Sequence, residues 1–188
     1  PKLSREEAIA RAEAAANAER ARVNAALVDG TLPGFKGQKD GPACVAAVVD
    51  RTTGAVFVGH NEPTGGPPVN PADFHPVLRD RIAAQQHPVD GGTGHPSEPA
   101  THAEVIALNK ALLARDPDGT RLTPNDLGDF VQLPMWSREP QTKPHMPPGG
   151  RAPCCGNCAP ITHGTDNLSG PPAPAWVWRD GAWRPPPK

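Results

Sequence analysis

His102-Ala103-Glu104-Val105-Ile106-Ala107-Leu108 opens the clearest helical run of this chain, residues 102 to 114 (HAEVIALNKALLA). Val105, Leu108, Leu112 and Leu113 recur at the spacing of one helix face. Thr101 stands where an N-cap is expected, and Asp116-Pro117-Asp118-Gly119 stops the run. Roughly fifty residues further on comes Pro153-Cys154-Cys155-Gly156-Asn157-Cys158. Cys155 and Cys158 are three apart, so they share one face of a helical turn. A short helix is expected to begin near Cys155 and to end by Gly164. At a helix start, free N–H groups and the backbone dipole favour the thiolate form.

These two segments hold the donors of a metal site. His102, Cys155 and Cys158 supply one imidazole and two thiolates, and a tetrahedral Zn2+ then keeps its fourth position open for water. Such a metal brings the pKa of water towards neutrality. Glu104 is two residues from His102 and in the first helical turn can face the same pocket, where a carboxylate moves protons. A purely structural zinc site is the plainer reading. Cys155-x-x-Cys158 with His163 begins like a zinc knuckle, but no further cysteine follows, and a structural site has no use for Glu104. Cys154 reads as a buried thiol beside the ligands, or as the ligand in place of Cys155; Cys44 reads as core.

Outward from the site, residues 4 to 28 read as a packing helix: Ser4 and Glu7 form a capping box, Ile9, Ala16, Val23 and Leu27 recur at helical spacing, and Gly30 ends it. Residues 43 to 50 and 55 to 60 are apolar strands joined through Thr52-Thr53-Gly54, and 129 to 133 is a third. A short helix around 76 to 85 interrupts the Pro/Gly-rich stretch 61 to 100, and residues 137 to 153 form another such loop. Trp176-Val177-Trp178-Arg179, Asp180-Gly181 and Ala182-Trp183-Arg184 read as a hairpin before a Pro-rich tail. Alternation puts Trp176 and Trp178 on one face, for packing ahead of base stacking.

With 188 residues, 26 Pro and 19 Gly, the expectation is a single domain with long loops: an N-terminal helix over 1–30, a core over 40–165, and a hairpin and tail over 170–188. The net charge of −1 argues against coating nucleic acid through bulk positive charge. Arg138, Lys143, Arg151, Arg179 and Arg184 still make the last third locally basic, as a phosphate-contacting surface or a solvated face. No stretch is long and apolar enough to span a membrane, and the charged, Ala-rich start lacks the apolar region of a signal peptide. The chain begins at Pro1, so a domain excised from a longer protein is expected. His60, His75, His87, His95, His145 and His163 read as solvated loop histidines, with His60 and His163 adjoining proposed site elements.

His102-Ala103-Glu104 with Pro153 and Cys155-x-x-Cys158 is similar to the cytidine deaminase superfamily, whose signature is H-x-E followed by P-C-x-x-C, here with Cys154 inserted after the proline. The wider text HAEVIALNKAL, LTPNDLG and PCCGNCAPITHG resembles the YwqJ-like branch, deaminase domains at the C-termini of bacterial polymorphic toxins, over roughly residues 40 to 165. The resemblance implies an α/β class, a three-layer α/β/α domain with a mixed sheet of about five strands and two zinc-bearing helices side by side on one face. It implies hydrolytic removal of an amine from a nucleobase, cytosine ahead of adenine, in single-stranded DNA ahead of RNA. Free nucleosides or nucleotides are the rival substrates, and a zinc-stabilised interaction module is the rival class. As a secreted toxin domain the chain would act in a target cell's cytoplasm and have a cognate immunity protein. Asn61, at the end of the second strand, is implied as a substrate contact, with an ordinary turn residue as the alternative. Ala103 and Pro153, inside the two halves of the signature, are carried over as substrate-facing. Trp136 is placed either to stack a base or to pack at the rim.

Overall fold

The computed structural model describes residues 1–138 and 146–186; Lys143, His145 and the end of the Pro-rich tail lie outside the described residues. Helix α1 (Arg5–Val28) starts with the capping box, in which the Ser4 hydroxyl accepts from Glu7 N–H and the Glu7 carboxylate from Ser4 N–H. Its buried stripe is Ala8, Ala12, Ala16, Glu19, Val23 and Leu27. The stripe is narrower and smaller than expected: Ala8 faces the core and Ile9 is only half-buried. Strands β1 (Cys44–Asp50) and β2 (Val56–His60) form the expected antiparallel hairpin, with Gly54 in the left-handed region its turn requires. Helix α2 (Pro76–Gln86) is followed by a two-residue strand β3 (Thr93–Gly94), then by α3 (Ala103–Arg115).

Strand β4 (Phe130–Trp136) continues past the expected end at residue 133 and through Pro134. The proline is tolerated because its carbonyl, and with it the missing donor, faces Ala152 and not β1. Helix α4 (Cys158–Ile161) starts three residues later than expected, so Cys155 precedes it in a turn. Strand β5 (Asp166–Asn167) then runs parallel to β4.

Among the described residues the main sheet, in the order β2-β1-β4-β5, is mixed and has four strands, where about five are expected. After β5 the chain enters Gly170-Pro171-Pro172-Ala173-Pro174, whose three prolines lack the donors that a further strand would use. Strands β6 (Trp176–Arg179) and β7 (Ala182–Arg184) form the expected hairpin, with Asp180 and Gly181 both at positive φ. This hairpin joins β3 in a separate three-stranded sheet.

The layers are α/β/α. Val45, Ala47, Val49, Val131, Leu133 and Met135 point to α1. Ala46, Val48 and Phe130 point to the opposite face, where Leu78, Leu108, Leu112 and Ile161 of α2, α3 and α4 close the second core. Strand β1 is buried along its whole length because it has a core on each side. Among the described residues no helix is long and apolar enough to cross a membrane.

Glu19 is the charged member of the α1 stripe. Burial pushes its carboxyl up, but two 2.7 Å bonds from Arg22 and a 3.3 Å contact with His60 Nδ1 more than offset this and bring it from 4.5 to about 2. A depressed carboxyl contributes stability that is full above its unfolded pKa and is lost as pH falls through the folded one. Because Arg22 is half-exposed, we expect a contribution of only about 1 kcal/mol. Glu19→Gln should therefore lower the melting temperature at pH 7 and flatten its fall between pH 4.5 and 2. Parallel curves for variant and wild type across that range would show that the ion pair adds nothing.

Candidate active site

The site forms where the start of α3 meets the turn before α4. His102 is the N-cap of α3, with extended backbone and no capping bond from its side chain, because its ring is turned towards the cysteines. The expected cap, Thr101, instead donates to the Glu98 carbonyl. The helix start is satisfied from outside: Asn61 Oδ1 accepts the Ala103 N–H at 2.9 Å. Asn61 is close enough because β2 presses on α3 through Gly59, where a Cβ would come within 2.8 Å of the Ala103 carbonyl oxygen.

His102 Nδ1 lies 3.2 Å from Cys155 Sγ and 3.3 Å from Cys158 Sγ, and the two sulfurs are 3.3 Å apart. A tetrahedral site with bonds of about 2.0–2.3 Å has edges of about 3.5–3.7 Å, close to this triangle. Hydrogen bonding with Cys158, and then with His102, overcomes burial and holds the Cys155 thiol down to about 4. Cys158 is driven the other way by its two cysteine neighbours and by burial. Two adjacent sulfurs cannot both ionise without a cation to share, so this donor set suits a thiophilic divalent ion such as zinc. Among the described residues, His102, Cys155 and Cys158 are the group whose ligand atoms converge for a metal.

Glu104 is 3% exposed and follows His102 on the first turn of α3. Burial raises its carboxyl to about 7, against the lowering effect of the His102 charge. A carboxyl poised there can both take and give a proton near neutral pH. A cleft of about 860 Å³ ends on His102 and is walled by residues 61–70, Asp73, Phe74, Pro96, Ser97, Glu98 and Thr101.

The structure brings His102, Glu104, Cys155 and Cys158 together, with Asn61 on the cleft wall and Ala103 beneath it. Of the expected site residues, Asn61 and His102 line the cleft itself; Trp136 packs half-buried at the end of β4 against the α3-side core that also holds Ala103 and Cys158, and Pro153 is half-buried just before the cysteines in sequence. Cys154 is not one of the three converging ligands but adjoins Cys158, with Thr162 Oγ1 at 3.9 Å and Asn167 Nδ2 at 3.6 Å, and Cys44 is core as expected. Of the two histidines singled out, His60 pairs with Glu19 and His163 is exposed. The sequence reading missed Ser97, His95 and Asn157, which adjoin the site through hydrogen bonds across 60 residues of chain or more in the case of Asn157. The one available signal was the pair Gly156-Asn157 between the cysteines.

The model of the YwqJ-like deaminase family matches residues 28–167, a span that holds every member of this constellation. The chain belongs to the YwqJ-like deaminase family. It is also 37% identical over 135 residues to the toxin YwqJ of Bacillus subtilis (strain 168), covering 72% of this chain and 20% of that protein. The chain thus spans about a fifth of the length of that curated relative. No solved structure matches. Most of α1 and the β6–β7 hairpin fall outside the family span.

The triangle makes a direct prediction about the three clustered cysteines. Cys155→Ser should abolish stoichiometric zinc binding, whereas Cys154→Ser should keep it, as read by metal analysis of the purified proteins. Zinc lost on Cys154→Ser and kept on Cys155→Ser would reverse the ligand assignment.

Proposed function

We propose that this chain is a zinc-dependent deaminase that converts cytosine to uracil in single-stranded nucleic acid, DNA ahead of RNA, as the catalytic domain of a secreted bacterial toxin. The observation that carries the reading is a buried, proton-poised carboxyl, Glu104, beside a His102/Cys155/Cys158 donor triangle at the end of a cleft. Family membership and the likeness to a toxin support it. Those three residues would hold the zinc, which supplies a Lewis acid that makes water a nucleophile near neutral pH.

The chain's own groups do the rest. Glu104 takes a proton from the attacking water and delivers it to the ring nitrogen. It then carries the second proton to the amine, which leaves as ammonia, so that cytosine and water give uracil and ammonia. Asn61 holds the start of α3, and with it His102 and Glu104, in register with the cleft. Asn61 lines the cleft and would face the substrate, while the Ala103 N–H is spent on Asn61 Oδ1.

A polynucleotide fits better than a free nucleoside because of what adjoins the cleft. Its lining includes Glu62, Asp73 and Glu98 but neither Lys nor Arg, which suits an uncharged base and sugar. A second groove of about 480 Å³ shares the wall Asn61–Thr64 and brings Lys36, Lys39 and Arg138, with Asp40, to the mouth. A base in the cleft would leave its flanking phosphates over these cations. The toxin setting also implies delivery into the cytoplasm of a target cell and an immunity protein that blocks the cleft.

Zinc-loaded wild type should convert cytosine in single-stranded DNA, and Glu104→Gln should retain zinc yet lose about 10²–10⁴-fold in rate. A Glu104→Gln enzyme as fast as wild type, or zinc-loaded wild type inert on strands and nucleosides alike, would favour the interaction module. Replacing Lys36 and Lys39 with Gln should raise KM for the strand and reduce its salt dependence by about 0.7 log unit per lost contact. Equal losses on the strand and on free cytidine would contradict the groove assignment.

A further inference from the structure

The side of His102 turned away from the cysteines is also held. Its Nε2 lies 3.0 Å from Ser97 Oγ, which in turn lies 2.6 Å from His95 Nδ1. His95 Nδ1 also accepts the Ser97 backbone N–H at 3.1 Å, so that nitrogen carries no proton. The Ser97 hydroxyl must therefore donate its single hydrogen to His95. Only its lone pairs remain for His102, and Nε2 of His102 must be the N–H. The bonds run one way, from His102 Nε2–H to Ser97 Oγ–H to His95 Nδ1. In the neutral ring this puts the proton on Nε2 and the lone pair on Nδ1, which faces the two sulfurs, the tautomer that a metal ligand needs.

Ser97 is fixed by the residues between the two cysteines. Asn157 is buried, and its side chain is devoted to this segment: Oδ1 accepts His95 N–H at 2.9 Å, and Nδ2 donates to the carbonyls of His95 at 3.0 Å and Ser97 at 2.8 Å. At Gly156 a Cβ would sit 2.2 Å from the Gly94 carbonyl oxygen, so that β3 lies directly on the cysteine turn. From the other side the terminal hairpin presses β3 down. Gly94 pairs with Trp176, a Cβ on Gly94 would meet the Trp183 ring at 2.4 Å, and the His95 ring stands edge-on to Trp176.

We propose that Ser97 is a positioning residue that sets the tautomer and ring orientation of His102 for the metal, and that Asn157 and the β6–β7 hairpin hold it in place. The proposal rests on the reading that His102, Cys155 and Cys158 bind zinc. It gives a role in the metal centre to a hairpin beyond the span shared with the family.

The test compares zinc affinity, by competition with a chromophoric chelator, in the wild-type chain of 188 residues, Ser97→Ala and Ser97→Thr. Loss of an outer hydrogen-bond partner of a metal ligand typically weakens affinity by about 10–100-fold. Ser97→Ala should show such a loss, and Ser97→Thr, which keeps the hydroxyl, should restore affinity to within about threefold of wild type. In parallel, ¹⁵N spectra of the histidines in zinc-loaded wild type should show His102 protonated at Nε2 and metal-bound through Nδ1. That result does not depend on any variant folding. Tight zinc in wild type with an unchanged affinity in Ser97→Ala would overturn this proposal alone, as would binding through Nε2. Wild type that fails to bind zinc would overturn the metal reading and this proposal with it.

Discussion

Two sulfurs and an imidazole nitrogen lie within about 3.3 Å of one another in a largely buried corner, where both thiols can ionise only with a cation to share. That constraint organises the rest of the site. It explains why His102 gives up the capping role its position offers, and why the start of α3 is satisfied by Asn61 from a different strand. It also explains why burial can be imposed on Glu104. Burial raises that carboxyl to about 7, and the neighbouring His102 charge pulls it the other way.

The fold serves this junction by bringing three separated stretches of chain to one end of the sheet. Strand β1, buried on both faces, fixes β2 on one side and β4 on the other. The register of β2 delivers Asn61 just past its end, and the glycine at 59 lets that strand sit on α3. On the opposite face α1 packs through alanines, which allow a close approach and leave room for the paired Glu19. The second sheet is small, yet it is the piece that carries β3 against the cysteine turn.

Much of this was legible in the sequence because it is local. The capping box of Ser4 and Glu7, the Thr52-Thr53-Gly54 turn, the Asp180-Gly181 turn and the helical stripe after His102 each depend on neighbours within a few residues. The metal triangle was legible for another reason, since few chemistries require an imidazole, a nearby carboxylate and paired thiols. What escaped depends on partners distant in the chain. Strand β3 is two residues long, too short for any periodicity, and exists because β6 pairs with it. Ser97, His95 and Asn157 carry no local pattern that distinguishes them from the Pro/Gly-rich loop around them. The strand expected to end at residue 133 continues through Pro134, and only the direction of that residue's carbonyl shows why. For Trp136 the sequence left stacking and packing open, and the alternation of β4 sets it half-buried against the α3-side core.

Crystals of the zinc-loaded protein, measured on either side of the zinc absorption edge, would test the central claim most directly. The account predicts one strong anomalous peak, at about 2.0 Å from His102 Nδ1 and about 2.3 Å from the sulfurs of Cys155 and Cys158, with the Glu104 carboxyl facing it. A peak ligated by Cys154 in place of either cysteine would contradict it, as would a Cys155–Cys158 disulfide with no metal bound.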